Sequence, residues 1–390
     1  MNNKKHSKHA KLVRPDLGFF GRNEWAILGT PCGKIKELSF HLIEALSGKH
    51  KMAYIDADHK SADGENANSN EAKTAMAYGA SMEYTDKITH HRFELDGRLD
   101  SYQYKSFFNG MDAVIVNGNH FTAKKQIVVI DPKKLESLQR KTDRLTDITL
   151  VLLEEGITEV PDFVKELMNE KTIVLPITER EQIAAYLHLL LLAAVPPIAG
   201  LVLAGGKSIR MGEDKGLIDY HGKPQREYIY DLVKAHCEET YISCRPDQVE
   251  GLSAFPTLAD SFLDLGPFGA LLSAFRQKPD HAWLVVACDY PLMSDKIISQ
   301  LVGSRNPSKV ATAFNNPNID FPEPLVTLWE PRSYYELLRF LGQGYSCPRK
   351  VLINSEVELL EVLEEDLDGF RNVNTGEERD GVIEGLKKGK

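Results

Sequence analysis

The sequence predicts two tandem α/β domains, and three observations carry this reading. The chain has 390 residues, long for one core and comfortable for two. Two apolar strand openings each run into glycine and then into a stretch of helical character: Trp25-Ala26-Ile27-Leu28 before Gly29, and Ile198 through Leu203 before Gly205. Strand, glycine loop, helix is the pattern of a nucleotide-binding α/β unit. Between the two openings, Val195-Pro196-Pro197 interrupts the chain, because proline ends a helix and stiffens a connection. The domain boundary is therefore expected there, giving residues 1–195 and 196–390.

Before the boundary, Ile183 to Val195 is the most apolar stretch. A membrane span needs about 18–20 such residues, so a buried helix is expected instead. After it, buried strands are expected at Thr240–Ser243, Trp283–Ala287 and Leu325–Trp329. Helices are expected at Arg226–Cys237, Gly269–Arg276, Asp295–Val302 and Tyr334–Leu341. Alternation of this kind predicts a mostly parallel sheet with helices on both faces.

Composition narrows the function. Hydrophobic residues make up 42% and charged residues 26%, as in an ordinary globular protein. The net charge of −9 gives no positive field for nucleic acid. The basic start, Lys4 to Arg14, is read as a solvated tail; without an apolar core it is not expected to be a secretory signal. The five cysteines are odd in number, widely spaced and without a C-x-x-C pair. Reduced thiols and a cytoplasmic location follow as expectations, with no membrane and no nucleic-acid partner.

The run Leu203-Ala204-Gly205-Gly206-Lys207-Ser208-Ile209-Arg210-Met211-Gly212, followed by Asp214-Lys215, carries the chemistry. Glycine lets backbone approach a ligand closely, and successive N–H groups can cradle phosphate oxygens. Arg210 and Lys215 add positive charge, the first suited to a forked contact and the second to a point contact. The bland alternative is a tight turn with two exposed basic residues; it suits the Gly-Gly pair alone better than the whole run. Asp289 follows the apolar run Val285-Val286-Ala287, at the carboxyl end of an expected strand, where open α/β sheets bind ligands. Its carboxylate suits Mg²⁺, although an aspartate there can equally cap a helix.

The run resembles the L-A-G-G-x-S-x-R-M-G-x-D-K signature of the MobA-like molybdenum cofactor guanylyltransferases. Further pieces match in the family's order: Leu258-Ala259-Asp260-Ser261, Leu265-Gly266-Pro267-Phe268-Gly269, Cys288-Asp289-Tyr290-Pro291, Glu323-Pro324-Leu325 and Asn372-Val373-Asn374-Thr375. The resemblance spans about Ile198 to Glu378. It implies a Rossmann-like nucleotidyltransferase that moves GMP from GTP to Mo-molybdopterin and releases pyrophosphate. By that resemblance Arg210, Lys215 and Asp289 are catalytic, with Asp289 the Mg²⁺ ligand aided by Asp260. Leu203, Ala204, Gly205, Gly206, Lys215, Asp260, Gly266 and Gly269 would hold the nucleotide. Arg349, Asn372 and Asn374 would lie on the pterin side. The L-A-G-G reading favours GTP. CTP, another small phosphorylated substrate and a non-catalytic cofactor carrier remain the alternatives. The family also implies transient contact with molybdenum cofactor carriers or acceptor oxidoreductases.

The first half resembles the P-loop protein that accompanies these enzymes, MobB-like and degenerate, with a three-layer fold. Gly29-Thr30-Pro31-Cys32-Gly33-Lys34-Ile35 stands where a Walker A loop would be. It is one residue short, Ile35 replaces the metal-holding Ser/Thr, and Pro31 removes an N–H donor. Asn117 stands where an acidic residue is common. Asp56, Asp58 and His59 could bind metal or phosphate, or simply form a polar strand-end loop. The adjacent His90-His91 pair is a poor metal site, since neighbours on a strand face opposite ways. The expected role is docking or delivery of the pterin substrate rather than nucleotide hydrolysis.

Overall fold

The computed structural model describes residues 13–57, 75–205, 214–316 and 321–388. The chain divides into two compact units, Leu17–Ala193 on one side and Ala194–Lys390 with the short N-terminal segment on the other.

The first unit is built on six strands: β1 (Glu24–Leu28), β2 (Met52–Ile55), β5 (Ala113–Asn117), β6 (Lys125–Ile130), β7 (Ile148–Leu153) and β8 (Ile173–Pro176), with a separate hairpin of β3 (Met82–Asp86) and β4 (His91–Leu95). The sheet runs β2-β5-β1-β6-β7-β8 and every pairing in it is parallel. Alternate side chains of β1 point to opposite faces. Trp25 and Ile27 pack with Ile35, Leu38 and Leu42 of the helix Cys32–Leu46 and with Ile183 and Leu187. Leu28 packs on the other face with Leu138 and Val164. Three layers result, as the sequence predicts.

The expected buried helix forms at Arg180–Ala193, but only one stripe of it is buried: Ile183, Ala184, Leu187 and Leu191. Leu189 and Leu192 stay exposed. The buried four recur at helical spacing, and one helical face is all that a sheet can cover.

The second unit holds β9 (Ile198–Leu203), β10 (Glu239–Cys244), β11 (Thr257–Ala259), β12 (Ala282–Ala287), β13 (Ala311–Asn316), β14 (Phe321–Trp329) and β15 (Val357–Glu361), in the order β11-β10-β9-β12-β14-β13-β15. Only β14 runs antiparallel to its neighbours. It still seats Trp329 opposite Trp283, and both indoles are fully buried. The helices expected from sequence occur at Gln225–Lys234, Pro267–Gln277, Asp295–Gly303 and Ser333–Gly342. From β9 the chain steps outward to β10 and β11, then returns to lay β12 on the other side of β9. That reversal opens a crevice at the carboxyl ends of β9, β10 and β12.

Candidate active site

The strand ends converge on a cavity of about 450 Å³ in the second unit. Leu203, Ala204 and Gly205 leave β9 along one wall, Ser243 lies one residue before the end of β10, and Ala287, Cys288 and Asp289 leave β12. Lys215, Asp260, Gly266 and Asn374 complete the set of sequence-derived residues on it. Gly206 and Arg210 lie outside the described residues.

The lip of the glycine loop is held from two directions. Ala204 N–H donates to Ser243 O at 3.3 Å, and Cys288 N–H donates to Leu203 O at 3.2 Å. Arg245, just past β10, donates to Gly205 O at 2.8 Å and pairs with Asp247 at 3.1 Å. Sequence reasoning did not single out Arg245; its place immediately beyond a strand end was the available signal.

Asp289 is the best-braced acid in the cavity. Asn372 donates its side-chain amide to Asp289 Oδ2 at 2.8 Å, and Val373 N–H donates to the Asp289 carbonyl at 2.9 Å. Lys215 Nζ lies 3.9 Å from Oδ2 and donates to Asn374 Oδ1 at 2.7 Å. Burial pushes the Asp289 carboxyl above the usual range, opposed by Lys215 and Asn372. Its other oxygen, Oδ1, is buried and has no hydrogen-bond partner among the described residues. A carboxylate on the wall of a phosphate-sized space fits Mg²⁺, which typically takes one or two carboxylates and fills its shell with substrate phosphates and water. Among the described residues there is no group of three or more acidic, His or Cys side chains that would hold a metal alone.

Asp260 follows β11 and accepts from Ser243 Oγ at 3.1 Å. Burial raises its carboxyl, with Ser243 and Arg245 acting the other way. Gly266 sits at φ 55°, ψ −138°, a backbone region open to glycine, and starts the helix Pro267–Gln277. Gly269 does not line the cavity. A Cβ there would come within 2.2 Å of Phe262 O, so its missing side chain lets the helix press against the loop that carries Asp260.

A second cavity of about 420 Å³ adjoins the first and shares Leu325 with it. Arg349 and Asn372 line it, together with Tyr290, Glu323, Asp368 and Arg371. Apart from Gly269, the described sequence-derived residues fall into two neighbouring spaces, with Asn372 on the wall of one and bonded to Asp289 in the other.

The first unit's glycine loop differs. Lys34 pairs with Glu154 at 2.7 Å and lies 3.9 Å from Asp131, which also accepts from Thr30 Oγ1 at 2.8 Å. Ile35 is fully buried in the core. Asn117 donates to Asp56 at 2.8 Å, and His91 Nδ1 lies 2.9 Å from the Tyr84 hydroxyl. Asp58 and His59 lie outside the described residues.

Residues 200–358 match the family described as the MobA-like NTP transferase domain. A molybdenum cofactor guanylyltransferase of Pseudomonas putida is 30% identical over 185 residues, which cover 91% of that protein and 44% of this chain. The chain belongs to the molybdenum cofactor guanylyltransferase family. The guanylyltransferase half is accordingly a nucleotidyltransferase, on a mostly parallel α/β sheet. A molybdenum cofactor biosynthesis bifunctional protein of Synechocystis is 36% identical over 184 residues, 47% of this chain. The match spans 52% of that protein's length. The solved structure of a molybdopterin-guanine biosynthesis protein B resembles the chain at 16% identity and a TM-score of 0.30, over 43% of this chain and 98% of its own. The three-layer fold of the first unit rests on its strand order, not on that score.

Proposed function

We propose that residues 196–390 transfer GMP from GTP to Mo-molybdopterin, forming the guanine dinucleotide cofactor and releasing pyrophosphate. The observation that carries this reading is the bridge from Asp289 through Asn372 to the second cavity. Two substrates must meet at one phosphorus, and here two spaces share Leu325 and are linked by the bond between Asn372 and the acid.

The larger cavity takes the nucleotide and the smaller takes the pterin. A terminal phosphate oxygen of the acceptor attacks the α-phosphorus of GTP in line; a new P–O bond forms as the bond to the β-phosphate oxygen breaks, and pyrophosphate leaves. Reactions of this type depend on positioning and charge neutralisation more than on covalent help. When bound at Asp289, Mg²⁺ supplies charge neutralisation to the reacting phosphates. Asn372 fixes the orientation of the Asp289 carboxylate. Lys215, and Arg210 by the family's motif, neutralise charge on the leaving pyrophosphate. Leu203, Ala204 and Gly205 meet base and ribose through backbone, while Asp260 and Gly266 line the same cavity and Gly269 lets the helix pack close to the Asp260 loop. Arg349 grips acceptor phosphate, and Asn374 holds Lys215 in place.

Within the same reading, residues 1–195 dock or deliver the pterin substrate in the cytoplasm, and molybdenum cofactor carriers or acceptor oxidoreductases are transient partners. The test is pyrophosphate release with Mg²⁺, Mo-molybdopterin and each nucleoside triphosphate in turn. Release with GTP, abolished in a folded Asp289→Ala variant, is the expected result. Release with CTP alone would reassign the nucleotide, and an unimpaired Asp289→Ala variant would remove that residue from the reaction.

A further inference from the structure

The second cavity contains an acid that the reaction above does not use. Glu323 lines it on β14, and only 3% of the residue is exposed. Among the described residues no Lys, Arg or His forms an ion pair with it, although Arg349 and Arg371 line the same space. Buried acids without a cation are uncommon, because desolvation of the charge must be offset by something. Here two neutral donors reach the carboxyl, one on each oxygen: Leu325 N–H to Oε1 at 3.1 Å and Asn316 Nδ2 to Oε2 at 2.9 Å. The Tyr290 hydroxyl faces the same group.

A carboxylate has about four lone-pair sites, so acceptor capacity remains on both oxygens. Two parallel donors match what is left. Asn316 and Leu325 fix the carboxylate plane in advance, so a ligand need not order it. A heterocycle that presents a ring N–H beside an exocyclic amino group offers two donors at the spacing of a carboxylate. That edge belongs to 2-amino-4-oxo pterins and also to guanine.

We propose that Glu323 is a specificity residue that accepts the 2-amino and N3–H edge of the acceptor's pterin ring, leaving Arg349 for its phosphate. This rests on the assignment of the second cavity to the pterin substrate. A 2-oxo ring turns an acceptor toward Glu323 where the pterin offers a donor, and acceptor against acceptor is repulsive.

The test uses the full chain with pterin and lumazine, its 2-oxo counterpart, in separate titrations, and GTP in a third. Wild type should bind pterin at least about tenfold tighter than lumazine, the order of discrimination a bidentate contact supplies. Glu323→Gln, which offers one donor and one acceptor, should collapse that ratio while leaving GTP affinity unchanged. A purely structural Glu323 would weaken both pteridines alike and keep the ratio, which overturns the inference. Loss of GTP affinity in the variant overturns it too, because the edge being read would then be guanine. If the variant does not fold, the wild-type ratio decides, and a ratio near one is fatal. Pyrophosphate release that persists with a ratio near one sinks this inference alone. Absence of both release and pterin binding sinks the proposed function with it.

Discussion

Asn372 donates to Asp289 Oδ2 at 2.8 Å, while its own Oδ1 is buried with no hydrogen-bond partner among the described residues. The two residues are 83 positions apart. The bond ties an acid on the wall of the first cavity to an amide on the wall of the second.

Replacing Asn372 with Ala should release the Asp289 carboxylate to rotate. Misplacement of a reacting group by about 1 Å can cost about a hundredfold in rate, so kcat for pyrophosphate release should fall by one to two orders of magnitude. The KM for GTP should change far less, because the glycine-loop lip is held separately by Arg245 and Ser243. A loss confined to the KM for GTP would contradict this role.

Gly269→Ala should destabilise the second unit. The added methyl would meet Phe262 O at 2.2 Å, backbone that cannot swing away as a side chain could. Overpacking of this kind costs about 1–3 kcal/mol, readable in denaturant unfolding. Because the displaced loop carries Asp260, weaker GTP binding should accompany the loss. Wild-type stability in the variant would show that the loop yields freely.

His50 and His188 predict a pH dependence in the first unit. Their ring nitrogens lie 2.8 Å apart, and burial holds His50 below its ordinary 6.5, with Asp112 acting the other way and His188 and Lys49 adding to the depression. The unfolded imidazole therefore takes up its proton at higher pH than the folded one. This contribution is complete above the unfolded value and is lost as pH falls from 6.5 toward the lower folded value. Thermal unfolding of the full chain between pH 8 and 5 should show it, and His50→Gln should flatten the slope. An equal slope in the variant would assign the effect elsewhere.

Lys34→Ala should leave pyrophosphate release from GTP unchanged. The lysine is engaged by Glu154 at 2.7 Å and lies 3.9 Å from Asp131, in the unit that does not carry the proposed nucleotide cavity. If the chain hydrolyses nucleotide and Lys34→Ala abolishes that activity, the first loop is a working phosphate cradle.

Much of the fold was legible because apolar runs force it. Ile198–Leu203 and Trp283–Ala287 have no soluble alternative to burial, and the glycine and aspartate that follow them must then sit at strand ends. Gly29 and Lys34 were legible for the same reason, down to the missing hydroxyl at Ile35. β11, β13 and β15 were not singled out from sequence. β11 has only three residues and β15 is partly polar, so their periodicity is too faint to separate from loop. The exposed Leu189 and Leu192 were misjudged because hydrophobicity alone does not say how wide a face the sheet can cover. Glu323 was visible only as one letter of a matching motif. Its burial without a cation follows from how β13 and β14 pair, and no local pattern encodes that.

The contacts of Asn372, Val373 and Asn374 also bear on how the molecule is made. Lys215 and Asn374 are 159 residues apart, and Asp289 waits on the same late segment. A ribosome therefore delivers the glycine loop, the phosphate-facing lysine and the acid well before the residues that orient them. Until that segment emerges, the nascent chain has the pieces of a nucleotide site without its final geometry. Folding and competence are thereby coupled in time: a chain halted before residue 372 should bury much of its sheet and still be unable to direct Asp289.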